Sequence, residues 1–240
     1  MRSFLSAINL RLLACGLLLP VSAAAQGEKD LEFRGNLGVS WEAGKNTTVN
    51  AGYRYTAFDN LSRFKSSMFS IGGSQDVLKW LRLGGEYRFY TTPEQDYHRF
   101  QVFARAGYKV NKKIDLFYRL QYQQRQDYFD GEYLQYFPPE RIFRNRLLGR
   151  YQYSKKLELY GYAESFTERR RGDFRTYRMR YGVGTEYEYK KRHVFGLELF
   201  ANDEFNRKSP NDRLTIDVSY VFKIKKRKEK KEEKAAKEPQ

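Results

Sequence analysis

The chain has 240 residues, of which 17% are aromatic and 31% are charged, and its mean hydropathy is −0.80. Lysine and arginine together number 45 against 29 acidic residues, so the formal net charge is +16. Beyond the N-terminal segment, no stretch approaches the roughly 18 to 20 consecutive apolar residues of a membrane-spanning helix, which excludes a second such helix. The basic surplus favours anionic partners without naming one.

Residues 1–25 are typical of a secretory signal peptide. A basic start is followed by an apolar run from Leu12 to Val21 and by three alanines, so the mature chain is expected to begin near Gln26. Lipidation at Cys15 is an alternative, although the apolar run continues past that cysteine. Because Cys15 is the only cysteine, we expect no disulfide and no thiol chemistry in the mature protein.

Five short turns recur along the rest of the chain, most of them built around one lysine or a pair of lysines. Their tips are Gly44-Lys45-Asn46, Val77-Leu78-Lys79, Asn111-Lys112-Lys113, Ser154-Lys155-Lys156 and Lys190-Lys191-Arg192. Each turn joins two segments in which apolar and polar residues alternate, and longer polar loops separate one hairpin from the next. Short turns on one side and longer loops on the other are typical of membrane β-barrels.

The alternating segments predict β-strands with one apolar and one polar face. The last segment shows this best, with five apolar residues at every second position: Leu214, Ile216, Val218, Tyr220 and Phe222. An earlier segment predicts Tyr177 and Met179 on the face opposite Arg178 and Arg180. The segments are about 10 to 12 residues long, whereas soluble strands average about five or six and a tilted membrane-spanning strand needs about nine to eleven.

A soluble β-sandwich or a lipocalin-like barrel would also alternate, with the apolar face as its core. The placement of aromatic residues favours the membrane, because many lie within a few residues of a lysine-rich tip, as an interfacial girdle requires. They are Trp41, Trp80, Tyr108, Tyr151, Tyr153, Tyr187, Tyr189, Tyr220 and Phe222. Turning Arg99 or Arg105 toward lipid would cost roughly 2 to 4 kcal/mol each near the midplane, which disfavours a one-residue slip of the strands.

The predicted fold is therefore an all-β, transmembrane, antiparallel up-and-down β-barrel of about ten to twelve strands. It occupies residues 26–224, and residues 225–240 form a charged tail that we expect to be disordered in the periplasm. Counting the segments gives eleven strands, whereas bacterial single-chain barrels have even numbers with both ends in the periplasm. Either one strand is miscounted or the N-terminal residues run back through the pore.

Several short stretches carry a resemblance to a known family. They are a first strand ending in Trp41-Glu42, Tyr-Arg-Tyr at 53–55, Gly-Glu-Tyr-Arg at 85–88 and the closing Val-Ser-Tyr-Val-Phe-Lys at 218–223. Together with the signal peptide, they resemble the bacterial outer-membrane barrels grouped as domain of unknown function 2490, over nearly all of the mature chain. The resemblance implies an outer-membrane location and a barrel fold, but no activity. The charged tail after the last strand departs from the usual pattern.

The face predicted to line the lumen is rich in arginine. The candidate lumen residues are Arg82, Arg88, Arg105, Arg119, Arg144, Arg146, Arg150, Arg178, Arg180, Glu158, Glu164 and Glu186. Pairing the strands about the Lys155 turn places Arg146 opposite Glu164, with Arg178 as a neighbour, and such pairs would brace the wall. Surplus positive charge predicts a narrow channel for anions or small solutes. The alternative is a closed barrel filled by paired charges, acting through its extracellular loops.

The longest loop spans residues 124–141 and is rich in aromatic residues. Its candidates for binding sugars or plugging the pore are Tyr128, Phe129, Tyr133, Tyr136 and Phe137. A cap packed over the barrel rim is the alternative. The arginines at 169–171 could contact lipopolysaccharide phosphates or form a solvated collar.

An enzyme, such as an outer-membrane lipid-modifying hydrolase, is disfavoured. The chain has two histidines, His98 and His193, and no Ser/His/Asp set can be proposed around either of them. We expect no metal and no cofactor. The expected partners are outer-membrane lipids and lipopolysaccharide, the barrel insertion machinery reading residues 214–222, and a small anionic solute. Nucleic acid is disfavoured, because an exported basic protein meets lipid head groups first.

Overall fold

The computed structural model describes residues 30–127, 139–170, 173–206 and 212–225, and these ranges form eleven β-strands. The strands are β1 (Asp30–Glu42), β2 (Thr47–Phe58), β3 (Arg63–Leu78), β4 (Leu81–Thr91), β5 (Tyr97–Lys109), β6 (Ile114–Gln126), β7 (Glu140–Gln152), β8 (Leu157–Arg170), β9 (Asp173–Tyr189), β10 (His193–Glu204) and β11 (Arg213–Ile224). In this part of the chain there is no helix with the length and apolarity needed to cross a membrane.

The strands close into a single barrel in which each strand pairs with its neighbours in sequence. All of these sequential pairs are antiparallel, but β1 and β11 pair in parallel, from Asp30 opposite Arg213 to Trp41 opposite Ile224. The predicted barrel and its strand number are thus confirmed, with one pair that is not antiparallel. An odd number of alternating strands leaves the first and the last pointing the same way, so the barrel can close only through a parallel pair. We call this pair the parallel seam.

The barrel has two rims of different character. Five turns form one end, which we call the short-turn rim, and they lie at residues 43–46, 79–80, 110–113, 153–156 and 190–192. The end of β11 lies at the same rim. The opposite rim carries the remaining connections. Not all of these are long as predicted, because only four residues separate β2 from β3 and two separate β8 from β9.

The apolar side chains face outward and the polar ones inward, which reverses the arrangement of a soluble protein. Large apolar residues on the outer wall are well exposed, for example Leu37 at 61% and Val102 at 58%, whereas Glu32 and Glu164 inside the barrel are each 1% exposed. A continuous exposed apolar band of this kind needs an apolar partner to cover it. Strands of 11 to 17 residues are also long enough to cross a bilayer at a tilt.

One residue lies on the face opposite to the one that alternation predicts. Tyr177 is only 2% exposed and packs inside the barrel in one cluster with Ile142 and Phe166, instead of pointing outward. The pairing of β8 with β9 shifts register between Phe166 and Thr167, which inserts an extra residue in β9. A bulge of this kind turns the inserted side chain to the other face. The prediction for Tyr177 was therefore wrong because of a local irregularity that the pattern does not encode.

Several aromatic rings inside the barrel lie flat against the wall over a glycine of the neighbouring strand. A Cβ atom on Gly84 would lie 2.4 Å from the Phe103 ring and 2.8 Å from the Gly73 carbonyl oxygen. A Cβ atom on Gly184 would likewise lie 2.4 Å from the Tyr160 ring. The missing side chains make room for the rings along the wall, so the rings do not project across the lumen.

Replacing Gly84 with valine should therefore displace the Phe103 ring toward the lumen. We expect a loss of about 1–3 kcal/mol in the free energy of unfolding, as for other overpacked sites. Gly85→Val is the matched control, because a Cβ there meets nothing closer than 3.4 Å, at the Gln101 carbonyl oxygen. Urea unfolding in lipid vesicles would measure the loss. Equal behaviour of the two variants would contradict the packing described here.

Candidate functional site

A cavity of about 380 Å³ lies in the lumen, in the half of the barrel nearer the opposite rim. Nine of its lining residues are cationic: Arg34, Arg54, Lys65, Arg88, Arg99, Arg125, Arg144, Arg178 and Arg180. Among the described residues, Glu140 is the one carboxylate in the lining. A solute in this cavity therefore faces mainly guanidinium groups.

Arginines occupy directly opposed positions on neighbouring strands. The first arginine row is Arg88 on β4, Arg99 on β5 and Arg125 on β6, each opposite the next. The second arginine row lies nearer the short-turn rim and consists of Arg82, Arg105, Arg119 and Arg146 on β4 to β7. Like charges opposite one another destabilise a sheet. The wall therefore carries concentrated positive charge that some of the interior carboxylates must offset.

Glu164 on β8 offsets part of this charge at the middle of the wall. Its side chain is fully buried, and its two oxygens lie 2.9 Å from Arg144 Nη2 and 3.0 Å from Arg119 Nη2. Arg180 on β9 approaches the same carboxylate at 3.8 Å. One carboxylate thus holds arginines from three different strands, and Arg144 binds it through two nitrogens.

The predicted pairing about the Lys155 turn is correct in register but not in its ion pairs. Arg146 lies opposite Glu164 in the sheet, yet its nearest carboxylate is Glu198 at 3.9 Å. Arg178 pairs with Glu204 instead. Arginine side chains are long enough to reach diagonal neighbours, so the opposed position does not determine the partner.

Glu32 is a second buried carboxylate with three cationic partners. Its oxygens bind Arg34 at 2.5 Å, Arg213 at 3.3 Å and Lys65. These residues lie on β1, β11 and β3. Glu32 therefore connects the two strands of the parallel seam with each other and with β3. The sequence analysis did not select Glu32, because its partners lie far away in the chain and the seam was not foreseen.

Arg99 differs from the other arginines of the cavity. No carboxylate of the described residues lies within ion-pairing distance of it; its Nη1 donates a hydrogen bond to the Tyr90 hydroxyl at 3.0 Å, and its Nε has no hydrogen-bond partner. The guanidinium lies 4.7 Å from the Tyr90 ring centre and 5.6 Å from that of Tyr97. The two rings are stacked 4.5 Å apart, and Arg125 lies 4.0 Å from Tyr97. Aromatic faces therefore hold Arg99 while leaving its charge available.

The carboxylates gather on β8 to β10 toward the short-turn rim. Glu158 lies 3.4 Å from Arg150, and it stands directly opposite Glu186 in the sheet. Glu198 accepts hydrogen bonds from Tyr160 at 2.8 Å and Tyr162 at 2.5 Å. The lumen is thus most positive in the half near the opposite rim and more balanced near the short turns.

The strand register places all twelve candidate lumen residues on one face of the sheet. Four of them, Arg88, Arg144, Arg178 and Arg180, line the cavity, so this face is the inner one. The loop candidates Tyr128, Phe129, Tyr133, Tyr136 and Phe137 lie outside the described residues. Alternation also predicts Arg34, Arg54 and Arg99 on the polar face, and the structure places these three in the cavity lining. His98 points outward, and its Nδ1 lies 2.6 Å from the Tyr87 hydroxyl.

The chain is similar to solved structures of outer-membrane porins and channels. The NanC porin superposes with a TM-score of 0.55 at 10% sequence identity, covering 80% of this chain and 97% of that one. The chain has a porin-type fold. The KdgM porin, solved with disordered oligogalacturonate, gives a TM-score of 0.44 at 9% identity, covering 72% and 91% of the two chains. The outer-membrane channel DcaP of Acinetobacter baumannii gives 0.35 at 12% identity, covering 73% and 58%.

No protein-family model and no curated protein matches the sequence. The resemblance to domain of unknown function 2490 is therefore not confirmed, whereas the barrel that it implied is confirmed by the structure. At 10% identity, the similarity to the NanC porin establishes a shared porin-type fold and carries no information about the solute.

Proposed function

We propose that this protein is an outer-membrane channel for small anionic solutes. The exposed apolar band, the aromatic residues near the short-turn rim and the porin-type fold support a location in the outer membrane, with the short turns in the periplasm. In that orientation, the cavity rich in arginine faces the exterior. Solutes arriving from outside then meet the most positive part of the lumen first.

The cavity lining carries this proposal. Nine cationic residues and one carboxylate line a cavity of about 380 Å³, and Arg99 keeps a charge that no described carboxylate offsets. A ring of positive charge in a pore of low dielectric attracts anions and repels cations. Rings that lie flat over glycines keep the lumen from being filled. An eight-stranded barrel is just filled by its side chains, so eleven strands leave more space.

The test is ion selectivity in a planar bilayer, read from the reversal potential across a salt gradient. We expect anion-preferring steps from the wild-type protein and a fall of about twofold to fivefold in the ratio of anion to cation permeability for Arg99→Gln. Arg99 is the best position, because replacing it leaves no described carboxylate without its cation. Arg63→Gln is the matched control, since that arginine sits at the opposite rim with 69% of its side chain exposed.

Three results would contradict the proposal. Channels without anion preference would show that the arginines do not determine which ions pass. An unchanged ratio of anion to cation permeability in Arg99→Gln would show that Arg99 does not contribute to selectivity. Silence from protein shown to be fully folded would favour the alternative of a closed barrel that acts through its loops.

A further inference from the structure

The outer wall carries a second concave feature, an apolar groove of about 650 Å³ across β6 to β10. Gly149 on β7 and Gly161 on β8 stand directly opposite each other at its floor, where the lack of side chains creates the depression. Ile114, Leu157 and Val183 form part of its sides. The groove runs on the face that we infer to contact lipid, and it begins at the short-turn rim.

Two pairs of lysines stand at the mouth of this groove. Lys112-Lys113 directly precedes Ile114, and Lys155-Lys156 directly precedes Leu157, so each pair adjoins a residue of the groove wall. All four lysines are exposed. The Lys113 carbonyl accepts a hydrogen bond from the Gln152 amide at 2.7 Å, which fixes one lysine turn beside the strand that leads into the other.

We propose that the groove and the two lysine pairs together bind one anionic phospholipid. Its acyl chain lies in the groove over Gly149 and Gly161, and its phosphate lies between the lysine pairs. The groove is apolar along its length and cationic only at its mouth, which matches the single charged end of such a lipid. A second copy of this chain is a poorer fit, because it would bring another set of lysines to the same rim.

Native mass spectrometry of the full-length protein in mild detergent tests this inference. Phosphatidylglycerol and phosphatidylcholine with identical acyl chains are offered separately over a concentration series. We expect one retained phosphatidylglycerol, bound about fivefold more tightly than phosphatidylcholine or better. Changing Lys112, Lys113, Lys155 and Lys156 together to glutamine should abolish the preference, while the weaker binding of phosphatidylcholine remains.

Filling the groove provides an independent variant. Gly149→Leu with Gly161→Leu should reduce retention of both lipids by about fivefold or more, since the acyl chain loses its place. The backbone accepts these side chains, because a Cβ would have no neighbour closer than 3.6 Å at Gly149 and 3.7 Å at Gly161. Heat-dependent migration on a denaturing gel confirms that each variant is folded.

Matched controls use the opposite wall. Gly73→Leu places a leucine on the outer face of β3, and a second control changes Lys45 and Lys79, the exposed lysines at the turns after β1 and β3, to glutamine. Both controls should retain phosphatidylglycerol as the wild type does. The inference is overturned if the wild type shows no preference, if the controls lose as much lipid as the groove variants, or if the groove variants retain as much as the wild type. A dimer that the groove variants abolish would assign the groove to a second copy instead.

Discussion

Replacing Glu164 with glutamine is expected to lower the free energy of unfolding by about 3–5 kcal/mol. The carboxylate is fully buried, and it is the shared partner of Arg119, Arg144 and Arg180. A glutamine fills the same space, but it leaves three guanidinium groups facing one another without an anion. Removing one member of a buried ion pair costs far more than the pair itself contributes, because the remaining charge stays out of water.

The measurement is urea unfolding of the refolded barrel in lipid vesicles, with Glu158→Gln as the control. Glu158 lies on the same strand and the same face, but its side chain is 30% exposed and, among the described residues, it forms an ion pair with Arg150 alone, at 3.4 Å. That variant should lose about 1 kcal/mol or less, as exposed ion pairs do. Equal losses in the two variants would show that burial and the shared coordination of Glu164 do not determine its contribution.

Replacing Glu32 with glutamine should produce a loss of similar size, also about 3–5 kcal/mol, but located at the parallel seam. Glu32 is the common partner of Arg34, Lys65 and Arg213, and Arg213 belongs to the strand across the seam. Parallel pairs are slightly less stable per residue than antiparallel ones. The seam therefore depends more on its side-chain contacts than the other strand pairs do, and we expect it to open first.

A disulfide across the seam separates this effect from a general loss of stability. Leu37 and Tyr220 are opposite each other and outward, and Cys15 in the signal peptide is the only native cysteine, so Leu37→Cys with Tyr220→Cys gives one cross-link. In that background, Glu32→Gln should cost much less than it does without the disulfide. Failure of the disulfide to form in the folded barrel would contradict the parallel pairing. An undiminished loss would show that Glu32 acts elsewhere in the barrel.

The strands and their two faces could be predicted because each side chain in a strand faces one of two contrasting environments. Lipid outside and a polar lumen inside impose a period of two over long segments, and tight lysine turns fix the neighbouring register. The position of Arg146 opposite Glu164 in the sheet was predicted correctly for this reason, although the two side chains do not form an ion pair. The positions of the candidate lumen arginines followed from the same alternation.

Features that depend on distant parts of the chain could not be predicted in this way. Glu32 and Arg213 are separated by 181 residues and meet only because the barrel closes in parallel. The bulge in β9 turns Tyr177 toward the lumen, and the alternation of apolar and polar residues in the sequence does not indicate this bulge. The alternation of polar and apolar residues also does not predict which carboxylate each arginine binds. A flexible arginine side chain reaches several carboxylates, and the most stable combination of ion pairs depends on all of them together.

Arg99 shows that alternation can place a residue on the correct face without indicating its role. Sequence reasoning ranks charged residues by the partners they could find, whereas Arg99 is held by Tyr90 and Tyr97 through their ring faces. A search for arginines flanked by inward aromatic residues on adjacent strands would have selected it. The same search also finds Arg146, which lies 3.5 Å from the Tyr162 ring centre.

The parallel seam has a consequence for the two ends of the barrel wall. β1 starts at the opposite rim and β11 stops at the short-turn rim, so the chain enters and leaves the wall on different sides. A barrel with an even number of strands can be assembled entirely from hairpins, whereas here one strand has no hairpin partner at closure. A label on Asp30 and one on Ile224 would therefore report from opposite ends of the barrel.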